Sequence, residues 1–579
     1  MKITRETMIP DLLEAYPQSR PVLDQAGLKG CGGPKGPHET LGYFARAHGL
    51  NESLFLAQIQ SAIDDSGSIA VSDAVTVEKP EFADTIYRPF FVAGLLTILT
   101  LGATWGALIL WRISFGHAFS AASAQDINAH AQAQVYGWMG FFIMGFAYQA
   151  FPRFWHSSLV KPYLAAVVFS LLCSGVLLAS VSMPFAAQYA WAHALATTAA
   201  GAELIAVAIF SAHLFMTYRA SKKEFEPYIA YVFTALAWFF ISSIANFCMA
   251  LASDGEVPSF YSKFCQPALR EMQFHGLGIT MILGVSLRTL PALFGLPSVG
   301  FKRSMVGLVL LTGGVAAEII CPLAFQSSPF ANVLKEIAQT SIFAACLIIC
   351  LPFRLWQEFP DKDRVEKFIK AAFLWLFISL IMLLATPLYL QLNSLQSSHA
   401  YDGAIRHAIT VGFISLMIMG YSAKVVPTLN GIDSRSQTAL VWPFILVNTG
   451  CFLRVVLQSA TDWHKGLFPL LGISGSLEVI GLTLWAVHLA GIFLRSPEAQ
   501  PAAGVKPAQI TADSTVSNVL EWFPETKPIF IARGFSAINN PVLRRTVASQ
   551  VSIAKVCRMH GVNADVFLSE LNEAIENDK

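Results

Sequence analysis

The chain has 579 residues, 54% of them hydrophobic and only 13% charged, with a formal net charge of +1. Soluble globular domains carry about a quarter charged residues, so that class is excluded, and the near-neutral charge gives no electrostatic footprint for nucleic acid. Recurrent windows of roughly 20 apolar residues, the length that crosses about 30 Å of hydrocarbon, point instead to an all-α polytopic membrane protein.

The start, MKITRETMIPDLLEAYPQSR, holds Asp11, Glu14 and Pro17 and no continuous apolar core, which excludes a secretory signal peptide. Residues 1–66 predict a small helical domain, and 67–88 a linker rich in Ser, Ala, Pro and charge. After the membrane part, a second linker (497–509) leads to a second small domain (510–579) that repeats the first. LEAYPQSRPVLDQAG (13–27) matches LEWFPETKPIFIARG (520–534), and HGLNESLF (48–55) matches HGVNADVF (560–567). Prolines near helix starts and apolar residues at i, i+3 and i+4 predict three short amphipathic helices in each copy. Both ends resemble a small helical domain of unknown function found alone or fused to redox and iron–sulfur proteins. The first copy is also similar to the N-terminal domain of iron–sulfur cluster repair proteins, whose Cys-Cys-Gly-Gly turn is here Gly30-Cys31-Gly32-Gly33. Cys31 has no second ligand of its own and reads as a loop thiol, with His48 and His560 as cap or turn residues.

Twelve spans are predicted near 90–112, 132–152, 162–184, 193–218, 228–252, 272–292, 304–323, 331–353, 367–390, 407–427, 438–458 and 469–494, within a membrane domain of 89–496. They fall into three four-span repeats of about 89–220, 227–355 and 366–496. The second span of each carries the spacing G-x7-G-x6-P: Gly137, Gly145 and Pro152; Gly276, Gly284 and Pro291; Gly412, Gly420 and Pro427. Successive copies are offset by 139 and 136 residues. The fourth spans also match, as ELIAVAIFSAH, EIAQTSIFAAC and EVIGLTLWAVH, which aligns Glu203, Glu336 and Glu478, and ten residues on His213, Cys346 and His488. Glycines and prolines of this kind are scaffold, because small residues let helix backbones approach in lipid. The prolines are expected to terminate their spans. The glutamates are expected to make a hydrogen bond repeated three times, with a proton path as the other role. His213 and His488 are expected to snorkel, and Tyr136, Trp138, Arg288 and Lys424 to serve as interfacial belt or snorkelling residues.

Lysines and arginines concentrate in alternate loops, while 113–131, 185–192 and 391–405 hold none. This asymmetry predicts a bacterial-type inner (plasma) membrane protein with both termini cytoplasmic. The nine cysteines are scattered without disulfide-like spacing.

The histidines depart from the repeat. His130, His407 and His275 lie 15, 13 and 9 residues before the second glycine of their copies, hence within roughly 9 Å of depth in the outer half. Gln132 and Glu271 occupy the positions matching His407. Imidazoles at similar depth on equivalent helices suit haem or metal ligation. Ideal helical phase aligns His275 with His407 and turns His130 away, which leaves His130/His407 and His275/His407 both open as the pair. His193 is a weaker third candidate.

Twelve helices in three arcs with histidines on the second, sixth and tenth resemble subunit I of haem–copper oxidases and nitric oxide reductases. The closer resemblance is to the NnrS family of haem- and copper-containing membrane proteins linked to nitric oxide metabolism and nitrosative stress. It covers roughly 85–495 and rests on His130 with Tyr136-Gly137-Trp138, on Gly284-Val-Ser-Leu-Arg288-Thr-Leu-Pro291, and on Arg406-His407-Ala408-Ile-Thr-Val-Gly412. The resemblance implies haem b, copper as a second metal, nitric oxide as a gas ligand, and His130, His275 and His407 as cofactor or metal ligands. A complete oxidase-type dinuclear centre is excluded, because MVGLVLLTGGVAAEIICP (305–322) lacks the histidine pair it needs. Catalytic residues and enzymatic status stay open. The terminal domains suggest a redox partner or a homodimer. A membrane channel or carrier, or a redox-linked sensor scaffold without haem, are the other functional classes.

Overall fold

The structure, a computed structural model, describes residues 3–26, 28, 36, 40–47, 50–64, 85–155, 157–221, 223–253, 265–325, 329–359, 363–430, 437–494, 509–512, 514–533, 535, 552–560 and 562–576. Cys31 and His48, and the side chain of His560, lie outside them. The chain divides into two compact units, Met1–Gln500 and Pro501–Lys579.

The first domain contains α1 (Ile9–Ala15), a 3-10 turn (Pro17–Ser19), α2 (Arg20–Gln25), α3 (Leu41–Ala47) and α4 (Glu52–Ile63) around Ile9, Leu12, Leu23, Phe44 and Phe55. Among the described residues four short helices therefore stand where three were expected. A residue before proline is pushed out of the helical region, and Tyr16, before Pro17, sits at φ −138° and ψ 73°. That break splits the first predicted helix in two.

The membrane part has twelve long helices among the described residues. The first block comprises α5 (Tyr87–Gly116), α6, α7 (Tyr163–Ser182) and α8 (Ala190–Ser221). The second comprises α9 (Pro227–Ala252), α10, α11 (Phe301–Phe325) and α12 (Pro329–Cys350). The third comprises α13 (Glu366–Leu384), α14 (His399–Leu429), α15 (Val441–Ala460) and α16 (Leu471–Phe493). Ten helices are apolar and long enough to cross a membrane; α6 and α10, of similar length, are not among those ten. The third and fourth helices of each block form the most extensively packed pairs. Packing of α8 on α9, α12 on α13 and α16 on α5 closes the three blocks into a ring.

The repeat has a backbone counterpart. Helix α6 runs Ala124–Gln132, widens into a π-helix over Ala133–Gly140, and continues as Phe141–Phe154. Helix α10 does the same over Gln266–Glu271, Met272–Ile279 and Thr280–Phe294. Helix α14 does so over His399–His407, Ala408–Ser415 and Leu416–Leu429. The three π segments share the 139- and 136-residue offsets of the glycines. They lie beside those glycines, where the wider turns meet bulky side chains of the block's first helix. A Cβ on Gly276 would stand 2.7 Å from Trp238, and one on Gly412 2.5 Å from Trp375. Pro152, Pro291 and Pro427 sit inside the final turns rather than at the last residues.

The C-terminal unit repeats the N-terminal plan with α17 (Val516–Trp522), a 3-10 turn (Pro524–Thr526), α18 (Lys527–Ala532), α19 (Ile553–His560) and α20 (Ala564–Glu576). Phe523, before Pro524, has φ −133° and ψ 71°, the same proline-induced break. An isolated antiparallel bridge precedes the first helix of each copy, Met8 to Thr40 and Thr515 to Ser552. The shared asparagine of HGLN and HGVN caps the last helix in both: Asn51 Oδ1 accepts from Leu54 N at 3.1 Å, and Asn563 Oδ1 from Asp565 N at 3.0 Å.

Candidate functional site: two imidazoles and a separate carboxylate–imidazole group

Local π-helices are frequent at functional sites because the extra residue per turn re-aims side chains. All three candidate histidines flank or occupy one. His130 precedes the π segment of α6, His407 immediately precedes that of α14, and His275 lies inside that of α10.

His130 and His407 are held alike. His130 Nδ1 donates to the Gly102 carbonyl of α5 at 3.1 Å, and His407 Nδ1 to the Gly403 carbonyl, one turn back, at 2.8 Å. A carbonyl only accepts, so each bond places the ring proton on Nδ1 and leaves Nε2 with a free lone pair. The His130 ring rests against bare α5 backbone: a Cβ on Gly106 would come within 2.7 Å of its Cε1. The two histidines lie within electrostatic reach of each other and of Arg454 on α15. Arg454 is 5% exposed, and its Nε and Nη1 are buried without a hydrogen-bond partner. Two neutral imidazoles with free Nε2 atoms, beside an unpaired guanidinium, form a donor set for a metal centre that carries an anionic group.

His275 is elsewhere in the bonding pattern. Its Nδ1 faces two carboxylate oxygens, Glu271 Oε2 at 2.6 Å and Glu318 Oε2 of α11 at 3.2 Å. Gln339 Nε2 of α12 donates to the other Glu318 oxygen at 3.0 Å. One donor atom from each of Glu271, His275 and Glu318 lies within 4.8 Å of the others.

Residues 82–496 match the family described as NnrS protein. The chain belongs to the NnrS family. It is thus a multi-pass membrane protein related to nitric oxide. In this NnrS protein, residues 510–568 also match a domain of unknown function, DUF1858. No curated protein matches the chain.

Two of the three repeated glutamates occupy equivalent places in the NnrS bundle. Glu203 of α8 packs on Gly175 of α7 and accepts Gln132 Nε2 of α6 at 2.5 Å. Glu478 of α16 packs on Gly450 of α15, near Arg454. Block two corrects the sequence alignment. Gly314 of α11 meets Ile342 of α12, not Glu336, and Gly175, Gly314 and Gly450 keep the 139- and 136-residue offsets. Glu336 sits six residues before Ile342 on an exposed part of α12, so three glutamates do not make one repeated bond or one path.

Several predicted interface residues are interior. His213 is fully buried, in contact with Tyr148 Oη at 3.3 Å and with the Val160 carbonyl, so it does not snorkel. Tyr136 donates to Ser243 Oγ at 3.1 Å and Trp138 to Ser415 Oγ at 3.0 Å, both buried. Lys424 forms a buried ion pair with Asp363 at 2.5 Å. Buried polar groups keep partners because none are available in hydrocarbon, and these side chains find them on neighbouring helices. His488 contacts Arg364 at 3.2 Å. Arg288 lies over the Phe154 ring at 5.9 Å. His193 is half-buried.

A search for histidines passes over Glu318, Gln339 and Arg454. A signal for two of them existed: Glu318 and Arg454 stand at the same repeat position, 136 residues apart, where block one has Ala179.

Proposed function

We propose that this protein binds haem b between His130 and His407 in a nitric oxide-handling or nitrosative-stress role. The observation that carries the proposal is the shared anchoring of both rings through Nδ1, which leaves both Nε2 atoms free. Metal-ligating histidines usually donate their other N–H to a carbonyl or carboxylate, which fixes ring orientation. Haem held there would supply an iron able to bind nitric oxide or to pass electrons. His130 and His407 hold and orient their ring nitrogens. Arg454, with two unpaired guanidinium N–H groups, is suited to pair with a haem propionate. Gly106 admits the His130 ring against α5.

The lysine and arginine distribution supports an inner-membrane location with both termini in the cytoplasm. Pairing of the terminal domains with a redox partner or with a second copy belongs to the same proposal, as does copper as a second metal. Glu203 and Glu478 lie in different helix pairs, and Glu203 is engaged by Gln132, an arrangement that favours structural roles over a carrier pathway.

Full-length protein from haem-replete cells should show a Soret band and about one haem per chain. His407→Ala and His130→Ala should each remove most of the haem or shift it to high spin, while His275→Ala should retain it. Normal haem occupancy and spin state in His407→Ala overturns the assignment. Copper is measured in the same samples by mass spectrometry.

A further inference from the structure

The interface of α10, α11 and α12 contains a charge problem independent of the histidine pair. Glu318 and His275 are 3% and 2% exposed, and Glu271 Oε2 is buried as well. Two carboxylates from different helices thus converge on one imidazole nitrogen. Nδ1 carries at most one hydrogen, which serves only one of the two facing oxygens. It contacts Glu318 Oε2. Glu271 Oε2, although 2.6 Å from the same nitrogen, is buried without a hydrogen bond of acceptable geometry. An unsatisfied buried acceptor is unfavourable; Lys335 and Arg406 act on Glu271 only from beyond bonding distance, so Oε2 itself is open to a positive centre.

A cation supplies one. An ion roughly 2.0–2.2 Å from each nitrogen or oxygen donor spans donors that lie within 4.8 Å of one another. A cation there contacts both carboxylates at once, whereas the Nδ1 hydrogen serves one. Gln339 already holds the far oxygen of Glu318, an outer-shell contact of the kind that orients a ligating carboxylate. The helix geometry suits the set as well. Glu271 and His275 are four residues apart on α10 and share a face, and Glu318 approaches from α11. One imidazole and two carboxylates are borderline-to-hard donors. They favour zinc, ferrous iron or manganese and disfavour cuprous copper, which seeks thiolates and thioethers.

We propose that Glu271, His275 and Glu318 bind one divalent cation of the zinc, ferrous iron or manganese class, at a site separate from the His130–His407 pair. Gln339 is its positioning residue. The site does not depend on haem being present.

The test uses full-length protein in detergent, stripped with chelator and reloaded with Zn²⁺ or with Mn²⁺, two probes that haem iron does not obscure. Elemental analysis after desalting should return one equivalent per chain, and bound Mn²⁺ should give an altered EPR spectrum. Glu318→Gln keeps the shape and the Gln339 contact while removing a charge; it should weaken retention at least tenfold with the Soret band unchanged. His275→Ala should do the same, and if that variant does not survive purification, Glu318→Gln decides alone. Absence of bound metal in the wild type, or equal retention in wild type and Glu318→Gln, overturns the site. Neither result bears on whether His130 and His407 hold haem.

Discussion

Replacing Glu203 and Glu336 in turn separates the structural repeat from the alignment of glutamates. Glu203 is fully buried, accepts a 2.5 Å bond from Gln132, and lies where a Cβ on Gly175 would stand 2.6 Å from its Cγ. Glu203→Ala removes a buried hydrogen bond, about 0.5–1.5 kcal/mol. It also strands the Gln132 amide in the bundle, and the emptied volume beside Gly175 adds a cavity cost. The total is roughly 3–5 kcal/mol, within the range for breaking a buried polar pair. Glu203→Gln keeps an acceptor for Gln132 and should cost less than about 1 kcal/mol. Glu336→Ala, on an exposed part of α12, should stay within about 0.5 kcal/mol. A cooperative unit of about 400 residues shifts its Tm by only roughly 1 °C per kcal/mol, so reversible denaturation in mixed detergent is the better assay. Equal destabilisation by Glu203→Ala and Glu336→Ala would refute the placement of Ile342 as the block-two counterpart and restore Glu336.

Four further outcomes are expected. Gly106→Val should crowd the His130 ring, whose Cε1 already stands 2.7 Å from a Cβ position, and lower haem per chain in a pyridine haemochrome assay while His407 is intact. Lys424→Met removes the buried ammonium paired with Asp363 Oδ2 and should destabilise by about 3 kcal/mol, with Lys424→Met/Asp363→Leu recovering part of the loss in detergent denaturation. Asn563→Ala removes the cap of α20 and should cost about 1 kcal/mol, read as faster proteolysis within 552–576 of the full-length protein. Burial pushes the Cys557 thiol above its usual range, so at pH 8 it stays protonated; peptide mass mapping should show it resisting maleimide until the C-terminal unit is unfolded.

Hydropathy exposed ten of the spans because a bilayer demands apolar length, and the G-x7-G-x6-P spacing exposed the repeat because glycine alone admits Trp238 or Trp375 at such closeness. The same spacing carries the π segments, which no hydropathy pattern distinguishes from α-helix. Ideal 100° phasing turned His130 away from His407, whereas the bundle brings the two within electrostatic reach. Both precede equivalent π segments, so their proximity comes from how helices of different blocks face one another, which phase within one repeat does not encode. The residue-before-proline rule encodes the breaks at Tyr16 and Phe523, whereas apolar spacing alone runs the two helices together. Amphipathic side chains favour the interface, and by residue type alone Tyr136, Trp138 and Lys424 belong there. Their partners, Ser243, Ser415 and Asp363, lie 107, 277 and 61 residues away, at separations that local pattern does not encode.

The offsets of 139 and 136 residues also show how one scaffold was given three chemistries. On the second helix the equivalent residues are Gln132, Glu271 and His407; on the third, Ala179, Glu318 and Arg454; on the fourth, Glu203, Ile342 and Glu478. Block one joins an amide to a carboxyl group, Gln132 Nε2 donating to Glu203 Oε2 while Glu203 Oε1 has no hydrogen-bond partner. Block two sets two carboxylates against His275, which stands where block one has Tyr136, and so concentrates negative charge. Block three puts a histidine, an arginine and a glutamate in the corresponding places and leaves guanidinium N–H groups unpaired. An unpaired buried donor costs about 1–3 kcal/mol, and so does an unpaired buried acceptor. In blocks two and three a bound group of opposite charge would relieve that cost, the proposed cation in one and the proposed anion-bearing cofactor in the other. Exchanging the third-helix charges, Glu318→Arg with Arg454→Glu, should abolish both kinds of binding while leaving the Gln132–Glu203 pair intact. Retention of either metal or haem at wild-type occupancy in that double variant would show that the ligands are held by groups other than these.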